Sequence, residues 1–183
     1  MTQDFHRFTR RDALSLGAGA AMAAMLPESA LAQGVLLARK IPVSGEMLPS
    51  IGIGTAIIFD FENDSAKFDE RAEVLKTLVA GGGKLIDTAP SYGKAEARLG
   101  ELFAATSLRD KVFLATKVRV ADRPASEAEM KASFARLKTK SVELMQLHNV
   151  RDPGQSLDLY REWKAQGLCK YIGVTSSFDR DYA

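Results

Sequence analysis

Three apolar runs in this chain end on a polar side chain at nearly equal intervals. KLID closes on Asp87, VFLATK on Lys117 and VELMQLH on His148, which stand 30 (87 to 117) and 31 (117 to 148) residues apart. That interval is the length of one strand plus the helix that must cross back before a parallel neighbour can start. Between the runs the apolar residues change to helical spacing. Helices are expected over residues 67–80, 94–105, 127–137 and 157–165, and strands over 51–54, 84–88, 112–116, 142–147 and 171–174. Gly81, Gly82 and Gly83 read as a helix stop rather than a phosphate cradle, because a strand and not a helix follows them. Ahead of the series, ARKIPVSGEMLPS reads as two short strands around Ser44 and Gly45.

Strictly alternating strands and helices predict an α/β fold with a parallel sheet. A doubly wound sheet also alternates, but its GxGxxG fingerprint is missing: GIGTAI has Gly52 and Gly54, then Ile57 in the third position. The repeated pitch points instead to a parallel barrel, of which five strands are read, preceded by an N-terminal β-hairpin.

At 183 residues and 46% hydrophobic, the chain has enough apolar material for a core. A net charge of +2, with Lys and Arg dispersed, gives no basic stripe for a nucleic-acid backbone, so no nucleic-acid partner is expected. Cys169 is the single cysteine, which rules out an intrachain disulfide and any cysteine-based metal site, and no metal is expected. Of the two histidines, His6 and His148, the second must carry any imidazole chemistry in the folded part.

Residues 1–32 have a different character. His6, Arg7, Arg10 and Arg11 precede the weakly apolar run ALSLGAGAAMAAML, and Ala30, Leu31 and Ala32 offer a peptidase site. Fourteen such residues are short of the roughly 20 that span a bilayer. A cleaved export leader is therefore expected, with no stable membrane insertion afterwards. The pair in TRRDAL resembles a twin-arginine signal, which implies the twin-arginine export machinery as partner and a periplasmic or secreted destination. A cysteine-poor passenger suits folding in a reducing compartment before export. The expected division is a leader at 1–32 and an incomplete barrel domain at 33–183.

Active sites of parallel barrels gather at the C-terminal ends of the strands. Asp87, Lys117 and His148 lie at such ends, and Tyr92 lies in the loop beyond one of them. A phenol, with an unperturbed pKa of about 10, donates a proton poorly near neutrality unless a cation stabilises the phenolate. Lys117 can supply that cation, Asp87 can hold the lysine charged and oriented, and His148 can polarise the group that receives the proton. Taken singly, each residue has a duller explanation as a turn acid, a solvated lysine, a loop aromatic or a hydrogen-bonded histidine. Their convergence on one rim favours chemistry.

LIDTAPSYGKAEARLG, LATKV, LMQLHN and KYIGVTSS, in this order and spacing, resemble the aldo-keto reductases over residues 41–179. The resemblance implies an α/β fold of the (β/α)8 TIM-barrel type, with only its first five strands read here, and a catalytic tetrad of Asp87, Tyr92, Lys117 and His148. It also implies NADPH as cofactor, with NADH the alternative, and hydride transfer to a small aldehyde or ketone with the tyrosine as general acid. Gly54, Thr55 and Asp87 are the implied cofactor contacts on the early strands, joined by Thr175 and Ser176, where the family often has Ser and Asn on the nicotinamide carboxamide. Because the family has eight strands and five are read here, residues 33–183 made alone are expected to be inactive.

Glu96 reads either as a brace for the tyrosine loop or as an acid favoured in a helix's first turn. Trp163, with Tyr160 and Leu157, reads as packing, and Cys169 as inert. Two rival functions are carried: a Schiff-base aldolase using Lys117 as the amine, and a reductase-like subunit that binds nucleotide with little turnover.

The leader reading gives the first test. Changing Arg10 and Arg11 together to Lys should leave the protein in the cytoplasm with residues 1–32 still attached, as seen by fractionation and intact mass. Undiminished export would refute the twin-arginine assignment.

Overall fold

Gly45, with φ of 77°, turns the chain between two short antiparallel strands, β1 (Ala38–Lys40) and β2 (Met47–Pro49). This is the expected hairpin. The structure, a computed structural model, describes residues 36–119, 122–149 and 154–176, with the side chains at 154 and 155 excepted. The leader at 1–32 lies outside the described residues.

From Gly52 onward the described strands and α-helices alternate. β3 (Gly52–Gly54) leads to α1 (Ser65–Ala80), β4 (Leu85–Asp87) to α2 (Ala95–Thr106), and β5 (Phe113–Val118) to α3 (Arg123–Leu137). β6 (Val142–His148), α4 (Gly154–Ala165) and β7 (Cys169–Thr175) complete the described series. Strands β3 to β7 lie side by side in chain order, every pair parallel. This is the expected α/β fold of the TIM-barrel type, with five of its strands.

Helix starts fall within two residues of the sequence reading at α1 and α2 and three or four residues earlier at α3 and α4. α3 begins at Arg123 rather than 127, because the Asp122 carboxylate caps it by accepting the Ala125 N–H at 3.0 Å and Pro124 fits a first turn, where its missing N–H is not needed. α4 begins at Gly154 rather than 157. The triple glycine stops α1 as expected: Gly81 and Gly83 donate to the carbonyls of Thr77 and Leu78, and Gly82 takes φ of 85°.

The strand register sorts the side chains. Ile86, Leu114, Thr116, Val118, Met145 and Leu147 are buried, and alternation turns them toward the helices. The other face carries rows across the strands. Asp87, Ala115, Leu144 and Tyr171 form one row, Lys117, Gln146 and Gly173 the next, and His148 and Thr175 the last. At the opposite end of the sheet the Tyr171 ring stacks on Phe113 at 5.9 Å, its Oη 2.6 Å from Glu46 Oε2, and Lys170 pairs with Glu46 at 2.6 Å. These contacts fasten the hairpin to the strand ends away from the rim.

On the helix side, Tyr160 and Trp163 pack with ring centroids 4.7 Å apart, and the Tyr160 hydroxyl donates to the Val118 carbonyl at 3.3 Å. The packing reading of this aromatic pair holds. Cys169 is buried, and that burial pushes its thiol up to about 11, so it is protonated and unreactive near neutrality. No described helix is long and apolar enough to cross a membrane.

Helices α2 and α3 cross at Gly100, where an added Cβ would sit 2.1 Å from the Arg136 carbonyl oxygen. Gly100→Ala would gain about 1 kcal/mol of helix propensity and lose about 1–3 kcal/mol or more to overpacking against backbone. The clash should win, lowering the urea midpoint by the equivalent of about 1–2 kcal/mol. A midpoint that is unchanged or raised would contradict this crossing.

Candidate active site

Lys117 is the constraint around which the rim is arranged. It stands one residue before the end of β5 on the inner face, with its side chain 5% exposed. A buried ammonium is costly unless its protons are met. All three have acceptors: Asp87 Oδ2 at 2.6 Å, the Thr88 carbonyl at 2.9 Å and Tyr92 Oη at 3.3 Å.

Asp87 closes β4. One oxygen takes Lys117, and the other accepts from Gln146 Nε2 at 3.2 Å. Gln146 passed unnoticed in the sequence. Its only signal there was an amide in an otherwise apolar strand, and which neighbour it meets depends on register.

Tyr92 depends on a loop fixed from outside its own segment. Gly93 has φ of 57°, and an added Cβ there would lie 2.3 Å from the Asp60 carboxylate. Asp60 Oδ1 accepts the Lys94 N–H at 3.0 Å, at the start of α2, where Lys94 makes no side-chain cap of its own. A carboxylate from the loop before α1 thus satisfies the helix N-terminus that follows Tyr92. Lys94 also pairs with Glu62. Nothing at the sequence level couples Asp60 to Gly93 across 33 residues.

Glu96 has more partners than a first-turn acid needs, and they lie on α3 and β5 rather than in the tyrosine loop. Only 1% exposed, it accepts from Thr116 Oγ1 at 2.6 Å and from Arg136 Nε at 2.8 Å. It joins α2 to α3 and to the β5 residue next to Lys117.

His148 ends β6 and is 9% exposed. Its ring stands edge-on to Tyr92, centroids 6.1 Å apart at 89°. Burial, with the cations of Lys117 and Arg119, holds its imidazole below the usual histidine range. The ring is therefore neutral at pH 7, with one N–H to donate. Nδ1 is buried and has no hydrogen-bond partner among the described residues.

The four residues read as a tetrad are thus together. The expected cofactor residues are spread along the same rim. Gly54 is exposed at the end of β3, with nothing within 4 Å of where a Cβ would be. Thr55 is fully buried, its N–H and hydroxyl both donating to the Asp87 carbonyl at 3.1 Å, so its hydroxyl serves to tie β3 to β4. Thr175 is half-buried, and its hydroxyl accepts from the Asn149 N–H at 3.3 Å. Ser176 is exposed beyond it. Ser91, Tyr92, Arg119, His148 and Asn149 line a cleft of about 440 Å³.

Chemically, the arrangement offers a phenol beside a fixed cation and a neutral imidazole, at the mouth of a cleft sized for a small molecule. Its electrostatics predict a titration. His148 should titrate below its ordinary value of about 6.5, and Lys117→Met should raise the midpoint, since removing the lysine cation leaves Asp87 unopposed to favour the imidazolium. An NMR titration of the His148 ring, with His6 the only other histidine, reads both. A wild-type midpoint at or above 6.5, or one lowered by the substitution, would contradict the geometry.

Comparisons with known proteins place the chain in a family. The sequence pattern of the Aldo/keto reductase family matches residues 50–182. An aldo-keto reductase of Mycolicibacterium smegmatis is 31% identical over 69% of this chain and 44% of its own, and one of Mycobacterium marinum is 32% identical over 70% and 45%. The chain therefore spans about half the length of these relatives. Among solved structures, the thermostable aldo-keto reductase Tm1743, in complex with the inhibitor epalrestat, superposes with a TM-score of 0.64 at 32% identity, over 79% of this chain and 55% of its own. The aldo/keto reductase of Klebsiella pneumoniae, in complex with NADP and acetate, does so with a TM-score of 0.62 at 26% identity, over 71% and 46%. By these matches the chain belongs to the aldo/keto reductase family.

Proposed function

We propose that the protein carrying this chain is an NADPH-dependent oxidoreductase that reduces small aldehydes or ketones to alcohols, with Tyr92 as the proton donor. The observation that carries the reading is the Tyr92 hydroxyl, 3.3 Å from a buried lysine cation and edge-on to a neutral imidazole. The complex of the Klebsiella relative with NADP supports the choice of cofactor, and NADH is the alternative.

The residues present fit a nicotinamide nucleotide. Gly54 leaves the inner face bare at the end of β3, and the Thr175 hydroxyl, which accepts from the Asn149 N–H and donates to the Leu147 carbonyl, keeps a second lone pair for an amide N–H at the end of β7, with Ser176 beside it. When bound, the cofactor supplies a hydride to the carbonyl carbon. The side chains do the rest. Tyr92 and His148 hold the carbonyl oxygen between two donors, and Tyr92 passes its proton to that oxygen as negative charge develops there. Lys117 then stabilises the phenolate, and Asp87 keeps Lys117 in place. One hydride, one proton and one carbonyl give one alcohol and the oxidised nucleotide.

The aldolase alternative requires Lys117 as a free amine. Its three protons are all committed to acceptors, which disfavours that role, and borohydride trapping of a carbonyl compound on Lys117 would restore it. The subunit that binds nucleotide with little turnover would reveal itself by slow oxidation of bound NADPH within a stable partner complex. The leader keeps its proposed role of directing export by the twin-arginine route to the periplasm or beyond.

Tyr92→Phe removes the donated proton and leaves the ring. In the intact protein NADPH affinity should hold while turnover falls by roughly 10²–10⁴. Near-normal turnover would remove Tyr92 as donor.

A further inference from the structure

Among the described residues, the side chains lining the cleft, those of Ser91, Tyr92, Arg119, His148 and Asn149, can all donate a hydrogen bond, and none is acidic. The two carboxylates beside the cleft are both engaged: Asp87 with Lys117 and Gln146, and Glu129 with the Arg119 backbone N–H. A wall of donors with no acid is complementary to an anion.

The charges sharpen this. Lys117 is neutralised by Asp87 at 2.6 Å. The imidazole of His148 is held neutral. The Arg119 guanidinium remains without an ion pair or hydrogen bond among the described residues. Glu129, the acid that reaches Arg119, gives Oε2 to its backbone N–H at 2.7 Å. Such freedom is unusual in this molecule. Of the eight described arginines, Arg71, Arg98, Arg109, Arg123, Arg136 and Arg161 are each tied to an acid or a carbonyl. The other exception, Arg39, lies in the hairpin.

Register gives Arg119 its position. Val118 pairs with Leu147, so one step further brings Arg119 level with His148, itself level with Thr175. Neighbouring strands lie about 4.8 Å apart, and Arg119 stands roughly 6.6 Å beyond Lys117 along the strand, on the same face. An anion held by Arg119 would therefore be a few bonds from a carbonyl oxygen at Tyr92 and His148.

We propose that Arg119 is a specificity-determining residue of the cleft and that the substrate is a carbonyl compound bearing a carboxylate, which pairs with the guanidinium while the carbonyl faces Tyr92. A planar carboxylate matches the guanidinium fork with two parallel bonds, so Lys would replace Arg poorly. The cleft volume of about 440 Å³ suits a small oxo acid or an aromatic aldehyde acid. The proposal rests on the reductase reading for the fate of the carbonyl, but the anion site stands on its own geometry.

Two measurements on the intact protein separate the two. With NADPH, the ratio of kcat/KM for 4-carboxybenzaldehyde over benzaldehyde should exceed one and fall by roughly 10-fold in Arg119→Gln, mainly through KM, with Arg119→Lys between them. Without nucleotide, benzoate titrated against the His148 NMR signal should bind wild type and bind Arg119→Gln several-fold more weakly, while benzamide shows no such difference. If neither aldehyde is reduced but benzoate binding still depends on Arg119, the reductase reading falls and the anion site stands. If both aldehydes are reduced, the ratio is unmoved and benzoate binds both proteins alike, the proposal is overturned while the reductase reading stands. Tighter binding of phenyl phosphate than of benzoate would overturn the assignment to a carboxylate.

Discussion

A lysine cation taken out of water must find its acceptors within the fold, and in this protein that requirement organises the rim of the sheet. Lys117 draws one acceptor from the end of β4, one from the next carbonyl and one from the loop beyond. None of these can move far without stranding a buried charge, a loss of several kcal/mol. The site is therefore held by the same interaction that makes it chemically useful. The cation that fixes the Tyr92 hydroxyl is the cation that would receive the phenolate.

Around this centre the scaffold removes slack from each contributor. Glu96, buried between α2, α3 and Thr116, locks the strand that carries Lys117. Asp60 seats the loop that carries Tyr92 by approaching Gly93, where no Cβ intervenes. Gln146 leaves Asp87 with both oxygens engaged. Far from the rim, Tyr171 and Glu46 bind the hairpin to the other strand ends. Glu96, Asp60 and Gln146 each touch one of the four site residues or its chain neighbour. Such supports are what keep a constellation within a fraction of an ångström of working geometry.

The sequence disclosed the parts of this design that rest on periodicity and chain order. The strand pitch revealed the parallel sheet, the turn residues revealed the hairpin, and the strand ends placed Asp87, Lys117 and His148 on one rim, because local pattern governs all three. It concealed what depends on packing between distant segments. Asp60 against Gly93, Gln146 on Asp87 and Gly100 against the Arg136 carbonyl are contacts between residues whose types say little alone. Helix starts shifted where capping outweighed apolar spacing, as at Asp122. Thr55, a cofactor contact only by resemblance, also ties β3 to β4 through two bonds to the Asp87 carbonyl, which its residue type did not announce.

The central claim is that these four side chains hand a proton to a carbonyl oxygen while hydride reaches the carbon. Isotope transfer tests it most directly. The intact protein, incubated with an aldehyde and NADPH deuterated at the transferring position of C4, should yield a primary alcohol with one deuterium on its carbinol carbon, matched by loss of one label from the nucleotide. An alcohol without the label, or no alcohol while the aldehyde is consumed in another way, would contradict the account.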